Sequence, residues 1–236
     1  MNYLWFDIET GPEDGALEKF APEFEPDAKL TEPKLDTRLK DPVKIAAAEI
    51  ELADRRIQWE KAKADSVSKQ AEEWEQKGAL RAERGVILAI GYALGDGPIE
   101  LVHGYDERRL IQDFLCVLHE AVNQGATVAG FNCEGFDLPF TRRRCLVHGD
   151  EFPFYNRADK WKPWRFQVYD AMKDWACGNY RDYVALGDLM IAFGVGRKNG
   201  DGGEFHKTYA TDPNKALEYL RNDVHGTRGV CKHMLQ

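Results

Sequence analysis

The chain has 236 residues, enough for one large domain or two small ones, and its 43% hydrophobic content excludes disorder throughout. Its 32 lysines and arginines against 40 aspartates and glutamates give a formal charge of −8. No global basic field therefore attracts nucleic acid, and any grip on phosphate has to be local. The five cysteines (116, 133, 145, 177 and 231) are scattered without a C-x-x-C pair. They read as reduced intracellular thiols, mostly core, rather than a disulfide framework or a zinc site. The longest apolar run, residues 86–94, is too short to span a bilayer, and acids at positions 7 and 9 argue against a signal peptide. A soluble, cytoplasmic protein with no membrane partner is expected.

Residues 3–9, YLWFDIE, are aromatic and β-branched and predict a buried strand. Residues 86–94 predict the next one. Gly95-Asp96-Gly97-Pro98 then turns the chain into a hairpin partner at 99–103. Leu110, Phe114, Leu118 and Val122 recur at helical spacing over 106–123, and Gly125 ends that helix. A strand at 127–132 leads into a helix over about 136–147, with Pro139 in its first turn. A strand is expected at 166–169 and a short helix at 182–195. Asp212-Pro213, a cap followed by proline, opens the last helix. This order predicts an α/β domain with a mixed central sheet flanked by helices, made of residues 1–11 and 85–236.

Residues 12–84 break that rhythm and read as a charged, mostly helical insertion between the first two strands. Its first part is acidic and carries prolines 22, 26 and 33, which suits an extended surface connection. From Val43 onward, positions 43, 46, 50, 53, 57, 60, 64, 67, 71 and 74 follow heptad spacing, and all but Glu60 are apolar. An unbroken helix there would be roughly 50 Å long. The seam either packs on the domain body, with a break near Asp65-Ser66, or forms a projecting arm that borders substrate or pairs with a second copy in a homodimer.

Asp7 and Glu9 are two apart on the first strand, so both point to one face. Two carboxylates on an otherwise apolar strand repel each other, and a divalent cation is the natural way to hold them ionised. The alternative is a strand end with its acids in solvent. Asp137 falls in the first turn of a helix, where the dipole favours a carboxylate, and taken alone it reads as a simple capping or loop aspartate. Tyr219 and Asp223 are four apart on the last helix and share a face.

Together, Phe6-Asp7-Ile8-Glu9-Thr10, Asn132 through Phe136-Asp137, and Tyr219 through Asp223 resemble the three motifs of the DEDD superfamily of 3′→5′ exonucleases, which have an RNase H-like fold. The histidine branch of that superfamily needs histidine five residues before Asp223, where this chain has Glu218. The tyrosine branch needs tyrosine four before, and Tyr219 is there. The chain thus resembles a DEDDy exonuclease, similar to the proofreading domain of family B DNA polymerases. Asp170, the 138–144 segment and the 186–203 segment with Lys198 add to the likeness, which leaves 12–84 unaccounted for.

The resemblance implies a two-metal hydrolase using Mg²⁺ or Mn²⁺, with Asp7, Glu9, Asp137 and Asp223 as metal ligands and Tyr219 orienting the attacking water. Hydrolysis would release nucleoside monophosphates from the 3′ end of single-stranded DNA. Thr10 and Asn132 would contact the terminal nucleotide and Phe136 a base or sugar. Trp161, Trp164 and Arg165 belong to a stretch, 157–165, that interleaves cations with indoles; it reads either as a backbone-tracking, base-stacking surface or as a loop with its tryptophans in the core. Of Arg142, Arg143 and Arg144, one or two are expected to reach phosphate and the rest to face solvent. A separate polymerase or a replication or repair protein is a candidate partner. RNA as substrate, or an inactive nuclease-fold scaffold, are the alternative readings.

Overall fold

A computed structural model of the protein describes residues 2–104, 106–159 and 163–236. Its chain divides into two compact units, Asp14–Lys77 and the remainder, Met1–Glu13 with Gly78–Gln236. The larger unit is built on a five-stranded mixed sheet. The opening aromatic run forms β1 (Tyr3–Pro12), which pairs antiparallel with β2 (Gly85–Leu94), and β2 turns into β3 (Glu100–His103). On the other side β4 (Thr127–Gly130) joins β1 in parallel, and β5 (Val168–Asp170) joins β4 in parallel. The order is β3-β2-β1-β4-β5, so β1 is central and its side chains are covered on both faces.

In the smaller unit, α1 (Ala16–Phe20) precedes α2 (Pro42–Gln76). Among the described residues, the larger unit has the α-helices α3 (Glu107–Asn123), α4 (Asp137–Val147), α5 (Ala171–Trp175), α6 (Leu186–Ala192), α7 (Phe205–Thr211) and α8 (Pro213–Met234). Asp106 caps α3 by accepting the Arg109 N–H, and Asp212 caps α8 by accepting that of Lys215. Period-two alternation along β1 sorts the core. Leu4, Phe6 and Ile8 join Phe114 and Leu118 of α3 and Leu138 and Phe140 of α4. Trp5 lies on the opposite face with Leu189 and Met190 of α6, Phe205 of α7, and Leu220 and Val224 of α8. Asp7 and Glu9 have the same parity as Trp5, so they point toward α8.

The predicted strand at 166–169 is observed at Val168–Asp170, and the helix expected over 182–195 is the shorter α6, followed by Gly194 in the left-handed region at φ +67°. The short helices α1, α5 and α7 were not expected, because five to seven residues are too few to show a period. Arg144 departs from the expectation of phosphate contact or a solvated face. It is 2% exposed and donates from Nε and Nη2 to Glu107 and from Nη1 to the Ala82 carbonyl. That bond tethers the segment leading into β2 to α3 and α4.

Within the smaller unit, α2 runs unbroken for 35 residues, with Asp41 accepting the Val43 N–H at its start and no break at Asp65-Ser66. No residue of α2 is fully buried. Val43, Ile50 and Ile57 of the expected heptad seam are 79%, 71% and 69% exposed, so the seam is not packed at these positions. Toward the other end of the seam, Val67, Ala71 and Trp74 are half-buried, and the acidic, proline-bearing segment before the helix covers this part of α2 together with Trp59, Ser66 and Gln70, which lie off the seam. That segment runs antiparallel to α2. The Phe20 ring lies 6.2 Å from Trp74, Gln70 donates to the Glu25 carbonyl, Ser66 accepts the Asp27 N–H, and Trp59 donates to the Leu30 carbonyl. The partners are largely polar backbone groups, which hydrophobic periodicity does not register.

Candidate active site

The central strand and the last helix bring three carboxylates together. Asp7 and Glu9 project from β1 and Asp223 from α8, with one ligand oxygen of each within 4.8 Å of the others. Close approach of α8 to the sheet is what makes this possible. Gly91 on β2 lies opposite Asp7 in register, and a Cβ there would meet Val224 Cγ2 at 2.7 Å. Any larger residue at 91 would push α8, and Asp223 with it, away from β1.

Asp137 arrives from the other face of the sheet. It stands in the first turn of α4, is 3% exposed, and its Oδ1 accepts the backbone N–H of Ile8 at 3.0 Å. Ile8 separates Asp7 from Glu9, so this bond fixes the start of α4 to the strand carrying the other acids. The loop before α4 is held by Asp170 at the end of β5. Its carboxylate accepts the N–H groups of Asn132 (2.9 Å), Glu134 (3.0 Å) and Met172 (3.1 Å). Asn132 adopts φ +61°, a left-handed conformation that the first of these bonds supports.

The electrostatics are those of a site short of positive charge. Burial, then repulsion by Asp137, Glu9 and Asp223, pushes the Asp7 carboxyl well above the usual carboxylate range. Glu9 is raised chiefly by burial and then by Asp223. Burial raises Asp137 to about 7 despite the Ile8 N–H, which favours its ionised form. Asp223 is raised by burial against two opposing influences, Lys198 and the Tyr219 hydroxyl. Tyr219, one turn before Asp223 on α8, is pushed upward by burial and then by Asp223 and Glu9, so its phenol stays protonated.

The arrangement fits a hard divalent cation. Asp223 Oδ1 is buried without a hydrogen-bond partner among the described residues, beside two further carboxylates. A buried, unpartnered anionic oxygen is costly unless a cation completes it. An all-oxygen donor set suits Mg²⁺ or Mn²⁺ rather than zinc.

Sequence reasoning assigned no role to Lys198. Its Nζ lies 2.7 Å from Asp223 Oδ2 and 5.2 Å from the centroid of the Tyr219 ring. The loop carrying it passes over Tyr219, where a Cβ on Gly200 would meet ring carbon Cδ2 at 2.6 Å and one on Gly202 would lie 3.2 Å from the hydroxyl. Glycines at 194, 196, 200, 202 and 203 around a lysine were the available signal. The organising role of Asp170 was also unassigned.

The remaining candidates are placed less uniformly. Thr10 is buried, and its hydroxyl donates to the Ala79 carbonyl at 2.6 Å. Phe136 is half-buried and packs against Phe140, with centroids 5.3 Å apart. Trp164 is half-buried in an aromatic cluster with Phe152, Tyr155 and Phe166. Arg165 is exposed and lines a cleft with Arg142 and Arg157. Trp161 lies outside the described residues.

Strand order and flanking helices define a mixed α/β fold compatible with an RNase H-like fold. Among solved structures, the chain is similar to the family B DNA polymerase from the hyperthermophilic archaeon Pyrobaculum calidifontis, with a TM-score of 0.53 and 21% sequence identity. The likeness covers 68% of this chain and 23% of the polymerase chain, and at that identity it is a likeness of fold. No protein-family model and no curated protein matches the sequence. Among the described residues no helix is long and apolar enough to cross a membrane.

Proposed function

We propose that this chain is a metal-dependent 3′→5′ exonuclease of the DEDDy type, which removes nucleoside monophosphates from the 3′ end of single-stranded DNA. The observation that carries the reading is the convergence of Asp7, Glu9 and Asp223 within 4.8 Å, one of their oxygens buried and unpartnered, beside a tyrosine one turn away. The fold likeness to part of a family B DNA polymerase supports it.

Asp7, Glu9 and Asp223 would hold one divalent ion, and Asp7 with Asp137 a second. Bound there, Mg²⁺ or Mn²⁺ would lower the pKa of a water and stabilise charge on the attacking and leaving oxygens of the phosphodiester. Tyr219 is the group that positions water. A phenol whose proton is held this firmly is a hydrogen-bond donor and orienter, not a base. Lys198 supplies a fixed positive charge beside Asp223, which restrains the acids' mutual repulsion. Asp137 keeps the start of α4 on β1 through the Ile8 N–H.

Product analysis tests the reading. Incubation of a single-stranded oligodeoxynucleotide with Mn²⁺ is expected to yield 5′-mononucleotides from the first time point. Internal fragments in their place would contradict an exonuclease. Faster hydrolysis of a matched RNA strand would move the substrate to RNA and leave the reaction class in place.

A further inference from the structure

An acidic protein that binds a polyanion needs a local cationic surface, and the larger unit has one that the proposed catalytic site does not use. Arg142 of α4 lines a cleft of about 510 Å³ together with Arg157 and Arg165, beside Tyr155. Arg142 and Tyr155 also belong to a second cleft of about 350 Å³, whose walls include Arg143, Trp164 and Lys173. The two clefts thus share the Arg142–Tyr155 pair as a common wall. The second cleft also reaches Glu134, in the loop between Asn132 and Asp137. Arg142 is five residues beyond Asp137 along α4, about 8 Å at the helical rise. The clefts thus lie just beyond the first turn of α4, which carries Asp137 at its start.

Neighbouring basic side chains are neutralised within the fold: Arg108 by Asp150, Arg144 by Glu107, Lys173 by Glu134 and Lys198 by Asp223. No ion pair among the described residues engages Arg142, Arg143, Arg157 or Arg165. Glu151 lines the first cleft too but pairs with none of them, so four guanidinium groups against that one carboxylate leave a net positive surface that a bound anion would offset. Arg142 is also pre-set for one. Its guanidinium carbon lies 3.8 Å from the Tyr155 ring centroid, and a guanidinium stacked on a ring keeps its N–H edge free for a bidentate phosphate contact.

We infer that these two clefts form one track for the sugar–phosphate backbone of single-stranded nucleic acid, holding the nucleotides upstream of the 3′ terminus through Arg142, Arg157 and Arg165. The direction of the strand rests on the proposed exonuclease reading, whereas backbone binding by the clefts does not. Recognition of this kind is independent of sequence and dependent on length, because a strand too short to leave the carboxylate site does not reach the arginines.

The test compares wild type with the Arg142→Gln/Arg157→Gln/Arg165→Gln variant of the full chain. Binding of labelled oligodeoxythymidylates of 3 and 12 nucleotides is followed by fluorescence anisotropy in EDTA at several salt concentrations. The 12-mer is expected to bind the variant roughly tenfold more weakly, with a log–log salt slope shallower by about 2, the loss of three single-strand phosphate contacts. The 3-mer should not distinguish the two proteins. With Mn²⁺, KM for the 12-mer should rise while kcat holds. Unchanged 12-mer affinity and salt slope in a variant with native circular dichroism would overturn the track. Equal displacement of the 12-mer by inorganic phosphate at low concentration would overturn it too, in favour of a small-anion site. Length-dependent, arginine-dependent binding without hydrolysis in any metal would remove the exonuclease reading and leave the track standing. Hydrolysis indifferent to the three arginines would do the reverse.

Discussion

Lys198 Nζ stands 2.7 Å from Asp223 Oδ2, placing a loop-borne cation against the one site carboxylate that comes from α8. Asp223 is 3% exposed, so the ammonium is its principal countercharge among the described residues. Lys198→Met would leave that buried charge uncompensated. Because the lysine side chain is 31% exposed, solvent screening reduces the loss to on the order of 1–2 kcal/mol. Thermal denaturation in EDTA should show a lower Tm for the variant at pH 8 and a smaller deficit at pH 5, where the acids take up protons. An equal deficit at both values would assign the lysine a packing role only.

The metal-free protein should lose stability as pH rises through the neutral range. Asp137 titrates at 3.8 in an ordinary environment and at about 7 in the fold. Between those values the folded state holds a proton that the unfolded state has released, so folding weakens as pH increases. Asp7, Glu9 and Asp223 shift in the same direction. Urea denaturation in EDTA should therefore give a falling midpoint from pH 5 to pH 8, and Mn²⁺ should raise the midpoint most at the alkaline end. A midpoint that rises with pH in EDTA would contradict this account of the site.

Tyr219→Phe removes a hydroxyl while keeping the ring that packs near Phe205, at 6.3 Å between centroids. The variant should fold and bind Mn²⁺ as wild type does. Its kcat should fall about 10²-fold, the lower end of the effect of a positioned proton-handling group, with little change in KM. Wild-type turnover would remove Tyr219 from the mechanism.

Arg144 and Glu107 form the most enclosed ion pair among the described residues of the larger unit, 2.6 Å apart with side chains 2% and 8% exposed. Arg144→Met should cost about 3–5 kcal/mol, because it strands the Glu107 carboxylate and the Ala82 carbonyl. Chemical denaturation measures this directly. A loss below about 1 kcal/mol would mean that His148, whose Nε2 lies 2.6 Å from Glu107, compensates the charge.

The catalytic candidates were legible because their spacing is set by regular elements. Asp7 and Glu9 follow the period of a strand, and Tyr219 and Asp223 that of a helix, so sequence separation translates into a shared face. Lys198 and Asp170 act from a glycine-rich loop and a strand end, where separation implies no direction. Arg144 looked like one of three adjacent surface cations, and only its contact with Glu107, 37 residues away, shows otherwise. The seam on α2 misled for a related reason. Alanine, isoleucine and valine at heptad positions predict a stripe buried along its length, whereas Val43, Ile50 and Ile57 are exposed and cover is found toward Val67, Ala71 and Trp74, with Trp59, Ser66 and Gln70 hydrogen-bonding the backbone of the preceding segment.

The larger unit should fold without the insertion. A Cβ on Gly78 would lie 3.6 Å from Pro12 Cβ, and the Glu13 N–H donates to the Arg84 carbonyl, so the chain leaves and re-enters this unit at neighbouring points. Replacing residues 14–77 with a short Gly/Ser linker should preserve a cooperative thermal transition, with Tm lowered by a few degrees at most. Loss of that transition would show that the larger unit needs the insertion to fold.

The central claim is tested most directly by a digestion ladder of 5′-labelled single-stranded DNA in Mg²⁺, Mn²⁺ and EDTA, with Asp7→Ala as control. The account predicts a ladder that shortens from the 3′ end one nucleotide at a time with either metal, and an intact strand in EDTA and in the variant. A strand left intact by the wild-type protein in both metals, or a ladder that persists in Asp7→Ala, would contradict it.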